Sequence, residues 1–216
     1  MTNLVLQKSS YIHQIKILLL TFLITIIPFS LISLFLELKV NVPTENLTRD
    51  PSAIMNMPFY LGLFSNIGIL LWCSSASICL FSYIVLKKDI RVKEYSSFFL
   101  FSGLITCLLL FDDFFLIHDS VFPDYLHINE SVFYVIYIAI ASTFFLKFKT
   151  ILKKTEFLIL LSALFFFGLS IVCDNIFPDI HIAIEDTFKL LGISTWFTYF
   201  TRICLQRVSR LISLSR

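Results

Sequence analysis

The chain has 216 residues, of which 57% are hydrophobic and 15% charged, and its mean hydropathy is +0.87. Soluble domains are roughly 45–50% apolar and 25% charged, so this composition excludes a soluble enzyme. Five Gly and six Pro exclude collagen-like and low-complexity chains, and the formal net charge is only +2. The sequence therefore predicts an integral membrane protein.

Several apolar stretches are long enough to cross a bilayer as helices, for which about 20 residues are needed. They are residues 15–37, 59–86, 96–118, 131–148, 156–174 and 184–205, numbered here as spans 1 to 6. The alternation of a barrel strand is missing, and span 1 lacks the cleavage site of a signal peptide. We expect an all-α, polytopic six-helix bundle, with residues 1–216 forming a single membrane domain.

The basic residues predict the orientation. Fourteen of the 17 Lys and Arg fall at or before the start of span 1, in or beside the loops between spans 2 and 3 and between spans 4 and 5, or near and after the end of span 6. The positive-inside rule then places both termini in the cytoplasm and the protein in the cell (inner) membrane. Twelve of the 15 Asp and Glu lie on the opposite, outer side or in the outer half of a span, and insertion does not require this. We interpret the asymmetry as a sign of a site.

A weak repeat relates two hairpins of the chain. Residues 119–133 and 174–188, 55 positions apart, share six of 15 residues, including the spacing of Asp, Pro, Asp and Glu. Because each copy contains two spans, spans 3–4 and 5–6 would be parallel hairpins related by an axis along the membrane normal. Each turn is also explained by ordinary chemistry, since Pro breaks helices and Asp favours turns.

The strongest functional signal is the pair Asp112 and Asp113, which lies inside the outer leaflet if span 3 is helical. A charge near the bilayer centre costs about 2.5–3.5 kcal/mol on insertion scales, so such residues are rarely incidental. On a continuous helix Asp112 and Asp119 share a face, whereas Asp113 and His118 point to either side. A neighbouring helix should therefore complete whatever site each of them serves.

Lys189 is the one basic residue in the outer half of a predicted span. It can pair with Glu185, four residues earlier, or with an aspartate of span 3. In such a pair Lys189 would hold the bundle together. Alternatively, it would shift the pKa values of neighbouring carboxylates or bind an anionic group of a substrate. The complete set of candidate acid–base or catalytic residues is Asp112, Asp113, His118, Asp119, Glu130, Asp174, Glu185 and Lys189.

A divalent metal is a further alternative. The ligand types are suitable, and the candidates are His118, Asp119, His181 and Glu185. Neither HExxH nor HxxxH nor a Cys-His signature occurs. The sequence offers no phosphate-binding glycine loop and no case for nucleic acid, and the basic loops fit anionic lipid.

Several motifs together resemble an uncharacterised family of bacterial multi-pass proteins, a resemblance that covers most of the chain and implies no reaction. They are Leu47-Thr-Arg-Asp-Pro51, Phe59-Tyr-Leu-Gly, Ser65-Asn-Ile-Gly-Ile-Leu-Leu-Trp72, the run from Asp112 to Asp119, and Glu185-Asp-Thr-Phe-Lys-Leu-Leu-Gly192 with Trp196. Ser65-Asn66 and Asp112-Asp113 are also similar to motifs of the alkaline-ceramidase-like membrane hydrolases. That similarity implies Asp and His around zinc, but the HxxxH of those enzymes is absent and they have seven spans.

We therefore weigh three functions. The first is a membrane-embedded hydrolase of a lipid-type substrate, with or without a metal, and the second is a proton- or cation-coupled transporter or channel component. The third is a non-catalytic subunit with a partner in a membrane complex. Bound metal would favour the first, cation-dependent flux the second, and a constant partner the third.

Overall fold

The computed structural model describes residues 11–58, 60–87, 93–129, 131–176 and 182–214. These residues form helices and turns without a β-strand. The α-helices are α1 (Tyr11–Val40), α2 (Thr44–Thr48), α3 (Pro51–Ile54), α4 (Leu63–Leu86), α5 (Lys93–Phe115), α6 (Ser131–Leu152), α7 (Phe157–Ile176) and α8 (Ile182–Leu214). A π-helix, Ile117–Leu126, follows α5.

Four helices of the described chain, α1, α4, α5 and α6, are long and apolar enough to cross a membrane. A shorter apolar helix covers Phe157–Cys173, in the position of span 5. The 33-residue helix α8 contains span 6 but is more polar, because charged residues occur near both of its ends. The predicted all-α fold is thus confirmed, with four helices that suit a membrane, and the six-span bundle remains a prediction.

The chain divides into two compact units, residues 1–61 and 62–216, and the single membrane domain remains a prediction. In the first unit, α1 is apolar on all sides, and Ser33 is its one buried residue. A helix that is hydrophobic around its whole circumference is typical of a membrane span. The short helix α3 begins where the Asp50 carboxylate accepts the backbone N–H groups of Ser52 and Ala53.

The core of the second unit is built mainly by α4, α5, α7 and α8. Aromatic rings fill it: Trp72 of α4 contacts Phe167 of α7 and Trp196 of α8, with ring centroids 5.6 and 5.8 Å away. Small residues allow the close approach, since a methyl group on Gly192 would come within 2.6 Å of the Phe167 ring. These contacts hold α4, α7 and α8 together, and α5 packs against α4.

The helix α6 joins this core only through its second half. Phe144, Phe148, Ile151 and Leu152 are buried, and the Phe144 and Phe148 rings lie 5.5 Å from the Phe98 ring of α5. The apolar residues Val132, Val135 and Ile138 near the start of α6 are exposed. An exposed apolar face on a long helix is what a lipid-facing helix requires.

The backbone changes direction sharply at the end of α5. Leu116 adopts a left-handed conformation (φ 51°, ψ 44°), and the π-helix begins at the next residue. A left-handed residue other than glycine costs of order 1 kcal/mol and ends the regular helix. The expectation of a continuous helix through His118 is therefore wrong, because the α-helix ends at Phe115.

The two hairpins of the predicted repeat differ where they can be compared. Residues 117–121 belong to the π-helix, whereas the aligned residues 172–176 continue the α-helix α7. The second turn, with Pro178 and Asp179, and the aligned acid Glu130 lie outside the described residues. The repeat therefore remains a prediction about sequence.

Candidate functional site

The aspartate pair occupies the last turn of α5, facing inward. Asp112 is 5% exposed and Asp113 is 8% exposed, among neighbours that are mostly apolar. Burying an ionised carboxylate is costly unless a cation and hydrogen-bond donors compensate it. Each aspartate has such a cation, and the two cations come from different parts of the chain.

Asp113 pairs with α8. The Lys189 Nζ lies 2.6 Å from Asp113 Oδ1, and the side chains are 37% and 9% exposed, respectively. This confirms the sequence expectation that Lys189 meets an aspartate of span 3. The paired residues are 76 positions apart in sequence, and their helices, α5 and α8, both pack against α4.

Asp112 pairs with His118. The His118 Nδ1 lies 2.6 Å from Asp112 Oδ2, and the backbone N–H of His118 donates to Asp112 Oδ1 at 3.1 Å. The other ring nitrogen, Nε2, lies 2.9 Å from Asp119 Oδ1. The expectation that His118 points away from Asp112 is wrong, because the left-handed Leu116 turns the chain back over the helix end.

The surroundings of His118 favour its charged form. An unprotonated ring nitrogen would turn a lone pair towards a carboxylate, and each of the two nitrogens faces a carboxylate oxygen. The imidazolium cation avoids both repulsions. The rings of Tyr134 and Tyr137 on α6 lie 6.0 and 6.3 Å from the imidazole ring, so aromatic side chains shield the cluster on that side.

These residues form one electrostatic group, which we call the outer cluster: Asp112, Asp113, His118, Asp119 and Lys189. Lys189 also interacts at longer range with Asp119, which connects the two ion-paired groups. With His118 protonated, three carboxylates face two cations. Within these five residues the carboxylates outnumber the cations, and Asp186, which lies near Lys189, adds to the excess of negative charge, which a bound proton or cation would reduce.

A small cleft of about 50 Å³ opens beside the Asp113–Lys189 pair. It is lined by Phe64, Ser65 and Gly68 of α4, Asp113 of α5, and Asp186, Lys189, Leu190 and Ile193 of α8. A volume of this size accommodates water molecules or a small ion, since a cavity of about 10–15 Å³ holds one water molecule. The cleft gives the outer cluster a polar, hydratable side.

The comparisons with known proteins give one family. The model described as Domain of unknown function (DUF8692) matches residues 17–203. The chain belongs to this family. The matched region contains the whole outer cluster and the cleft, and the predicted membership of an uncharacterised family is confirmed. No curated protein and no solved structure matches the chain.

The other predicted site residues are placed less fully. Asp174 lies in the last turn of α7, but its side chain is outside the described structure, as are Glu130 and His181. Glu185 lies in the first turn of α8. Asp186 of the cleft was missed by the sequence reasoning, although its spacing of three residues from Lys189 on one helix could have indicated it.

The described residues cover the predicted metal site only in part, because His181 lies outside them. A zinc-bound histidine must offer an unprotonated nitrogen, whereas both nitrogens of His118 are turned to carboxylates at 2.6 and 2.9 Å. Among the described residues no three His, Cys, Asp or Glu side chains are grouped to hold a metal ion. The full candidate set includes His181, so that ligand set stays a prediction.

Proposed function

We propose that this family member is a six-span protein of the cell (inner) membrane with both termini in the cytoplasm, and that its outer cluster binds and releases a proton or small cation as part of a coupled transporter or channel. The alternation of basic loops supports the orientation. The parallel relation of spans 3–4 and 5–6 belongs to the same proposal and is supported by their shared acidic and proline spacing.

The observation that carries the proposal is the charge balance of the outer cluster. Two adjacent aspartates end a membrane-type helix, each paired with one cation, and the third carboxylate, Asp119, leaves one negative charge over. Intramembrane acids, His and Lys typically belong to proton or ion pathways. A cluster in which carboxylates outnumber cations can take up positive charge.

In this proposal the residues of the outer cluster have distinct roles. The His118 ring connects a buried carboxylate, Asp112, with a more exposed one, Asp119, so a proton accepted at one nitrogen can leave from the other. Proton binding at Asp113 would release Lys189, because a neutral carboxyl group no longer attracts the ammonium group. Charge uptake would thus loosen the contact between α5 and α8, which couples ion binding to helix packing.

Proton flux through reconstituted protein tests the proposal. The purified protein would be placed in liposomes containing a pH-sensitive dye, and the proton influx after a pH step would be compared with that of empty liposomes. We expect proton influx for the natural protein. Asp113→Asn should reduce this influx at least about tenfold, because the amide side chain cannot bind and release a proton. Glu156→Gln serves as control and should retain the influx, because Glu156 lies just before α7, at the opposite end of the second unit from the outer cluster.

Equal influx for the natural protein, Asp113→Asn and empty liposomes would contradict proton transport. The flux would then be measured under a membrane potential generated with potassium and valinomycin. Comparing external solutions with and without sodium would separate sodium flux from proton flux. Cation-dependent flux that Asp113→Asn abolishes would support the cation form of the proposal. Absence of flux with any cation would reject it.

A lipid hydrolase is the second candidate, and the lining of the cleft favours it. The Ser65 residue lies in the same cleft as Asp113 and Lys189, so a nucleophile type, an acid and a cation are brought together there. Hydrolysis of a fluorogenic ester lipid that Ser65→Ala abolishes would support this function. Hydrolysis that is unaffected by Ser65→Ala would remove the cleft from consideration as a hydrolytic site.

A further inference from the structure

At the end of the second unit opposite the outer cluster, basic residues greatly outnumber acids. The described residues there include Lys87 at the end of α4, Lys93 at the start of α5, Lys147 and Lys149 near the end of α6, Lys153 and Lys154 before α7, and Arg202, Arg207 and Arg210 on α8. Among the described residues, the acids of this region are Glu94 and Glu156. The excess positive charge needs anions from outside the chain.

Two arginines on α8 differ in how they are compensated. Arg202 donates through Nε and Nη2 to the two oxygens of Glu156, and the Nη2 contact measures 2.6 Å. Arg207 has its Cζ 3.9 Å from the centroid of the Tyr95 ring on α5. Its Nε is buried and makes no hydrogen bond within the described structure. Arg202 is thus satisfied by a carboxylate, whereas Arg207 lies on the face of an aromatic ring and its Nε has no hydrogen-bond partner among the described residues.

The stacking fixes the position of the Arg207 guanidinium. A planar guanidinium on an aromatic face loses little further entropy when it forms bonds to an oxyanion, and its geometry matches phosphate. Tyr95 is the third residue of α5, a helix of membrane-spanning length, so this arginine lies at the level where an apolar helix begins. Tyrosine is typical of that interfacial level.

We infer that Arg207, held by Tyr95, binds the phosphate of an anionic glycerophospholipid at this end of the bundle. The membrane lipid is favoured over free phosphate because the site lies at the end of an apolar helix, where headgroups are concentrated. The neighbouring lysines add attraction without specific geometry. The inference is independent of the proton- or cation-binding function.

Lipid selectivity of the full-length protein tests the inference. The protein would be placed in nanodiscs of phosphatidylcholine containing a small share of spin-labelled phosphatidylglycerol or spin-labelled phosphatidylcholine. The fraction of motionally restricted label gives the preference for the anionic lipid. We expect a clear preference in the natural protein and about a fivefold lower preference in Arg207→Gln, because this variant loses the charge-assisted bonds that the positioned guanidinium makes to phosphate.

Matched variants separate a built site from general charge. Arg210→Gln removes the same charge from an exposed position of the same helix and should lower the preference less than twofold. Tyr95→Leu leaves the charge unchanged but removes the aromatic face, so it should weaken the preference, whereas Tyr95→Phe should retain it. If Arg207→Gln fails to fold, the two Tyr95 variants still decide the question.

Three results would overturn the inference. One is an equal loss in Arg207→Gln and Arg210→Gln, which would indicate a diffuse charge effect. Another is an unchanged preference in Tyr95→Leu. The third is full displacement of the labelled anionic lipid by inorganic phosphate at matched ionic strength, which would assign the site to free phosphate.

Discussion

Two ion pairs hold α8 to its neighbours at opposite ends of the second unit, and they differ chiefly in burial. At one end Lys189 contacts Asp113, whose side chain is 9% exposed, and at the other Arg202 contacts Glu156, whose side chain is 33% exposed. Contact distances are short in both. Desolvation makes a buried charge depend on its partner, whereas water can replace the partner of an exposed one. Burial, and not distance, should therefore decide what each pair contributes.

The largest expected effect is that of breaking the buried pair. Lys189→Met should lower the free energy of unfolding by about 3 kcal/mol, because it leaves the Asp113 carboxylate buried without a cation. Adding Asp113→Asn should recover most of the loss, since the remaining amide carries no charge. Reversible unfolding in mixed detergent micelles, followed by helical circular dichroism, gives both values. A double variant as unstable as Lys189→Met would refute the pairing.

Removing the imidazole from the outer cluster should have the next largest effect. His118→Leu should lower the free energy of unfolding by about 2 kcal/mol, because the buried Asp112 carboxylate then loses its paired cation and keeps only neutral donors such as the backbone N–H of residue 118. Asp119→Asn should cost less, since Asp119 is 41% exposed and water can solvate its neighbours. Thermal unfolding of the two variants in the same detergent compares them. Equal losses would argue against burial as the deciding property.

A neutral buried hydrogen bond should fall between the two ion pairs. The indole N–H of Trp196 donates to the Thr106 hydroxyl at 3.1 Å, and that hydroxyl donates to the Ser102 carbonyl oxygen at 2.8 Å. Thr106→Val should lower the free energy of unfolding by about 1 kcal/mol, because it leaves the indole without its acceptor. Thr143→Val is the control, since this exposed hydroxyl bonds only within α6, to the Ala139 carbonyl. If Thr143→Val lowered the free energy of unfolding as much as Thr106→Val does, the hydrogen bond of the indole would make no contribution of its own.

The exposed pair should contribute least, and only above acidic pH. Hydrogen bonds from Arg202 hold the pKa of Glu156 below its ordinary value. A depressed carboxyl pKa adds stability above the pKa of the unfolded chain, and this stability disappears as the pH falls through the folded-state pKa. Arg202→Gln should therefore cause only a small loss near neutral pH that vanishes in acid. Parallel unfolding curves at neutral and acidic pH would measure it, and a loss that grows in acid would contradict the assignment.

Much of this comparison follows from the sequence, and the remainder depends on backbone geometry. The apolar runs predict the helices that contain the spans, and the isolated Lys189 within an apolar run predicts its pairing with an aspartate. The meeting of His118 with Asp112 could not be predicted, because it depends on a positive φ at Leu116, a residue type that rarely adopts one. Residues 117–121 and 172–176 also show that sequence alone does not predict the local backbone. Their sequences are similar, yet the first segment is π-helical and the second is α-helical.

The most direct test of the central claim is the proton or cation flux of the paired variant Lys189→Met with Asp113→Asn. This variant removes one positive and one negative charge from the outer cluster and should unfold nearly as the natural protein does. Our account predicts that it folds in the membrane but carries no flux in reconstituted liposomes, because the ionisable contact between α5 and α8 has been replaced by a permanent neutral one. Flux equal to that of the natural protein would show that the pair only stabilises the fold, and would contradict the proposed role of the outer cluster.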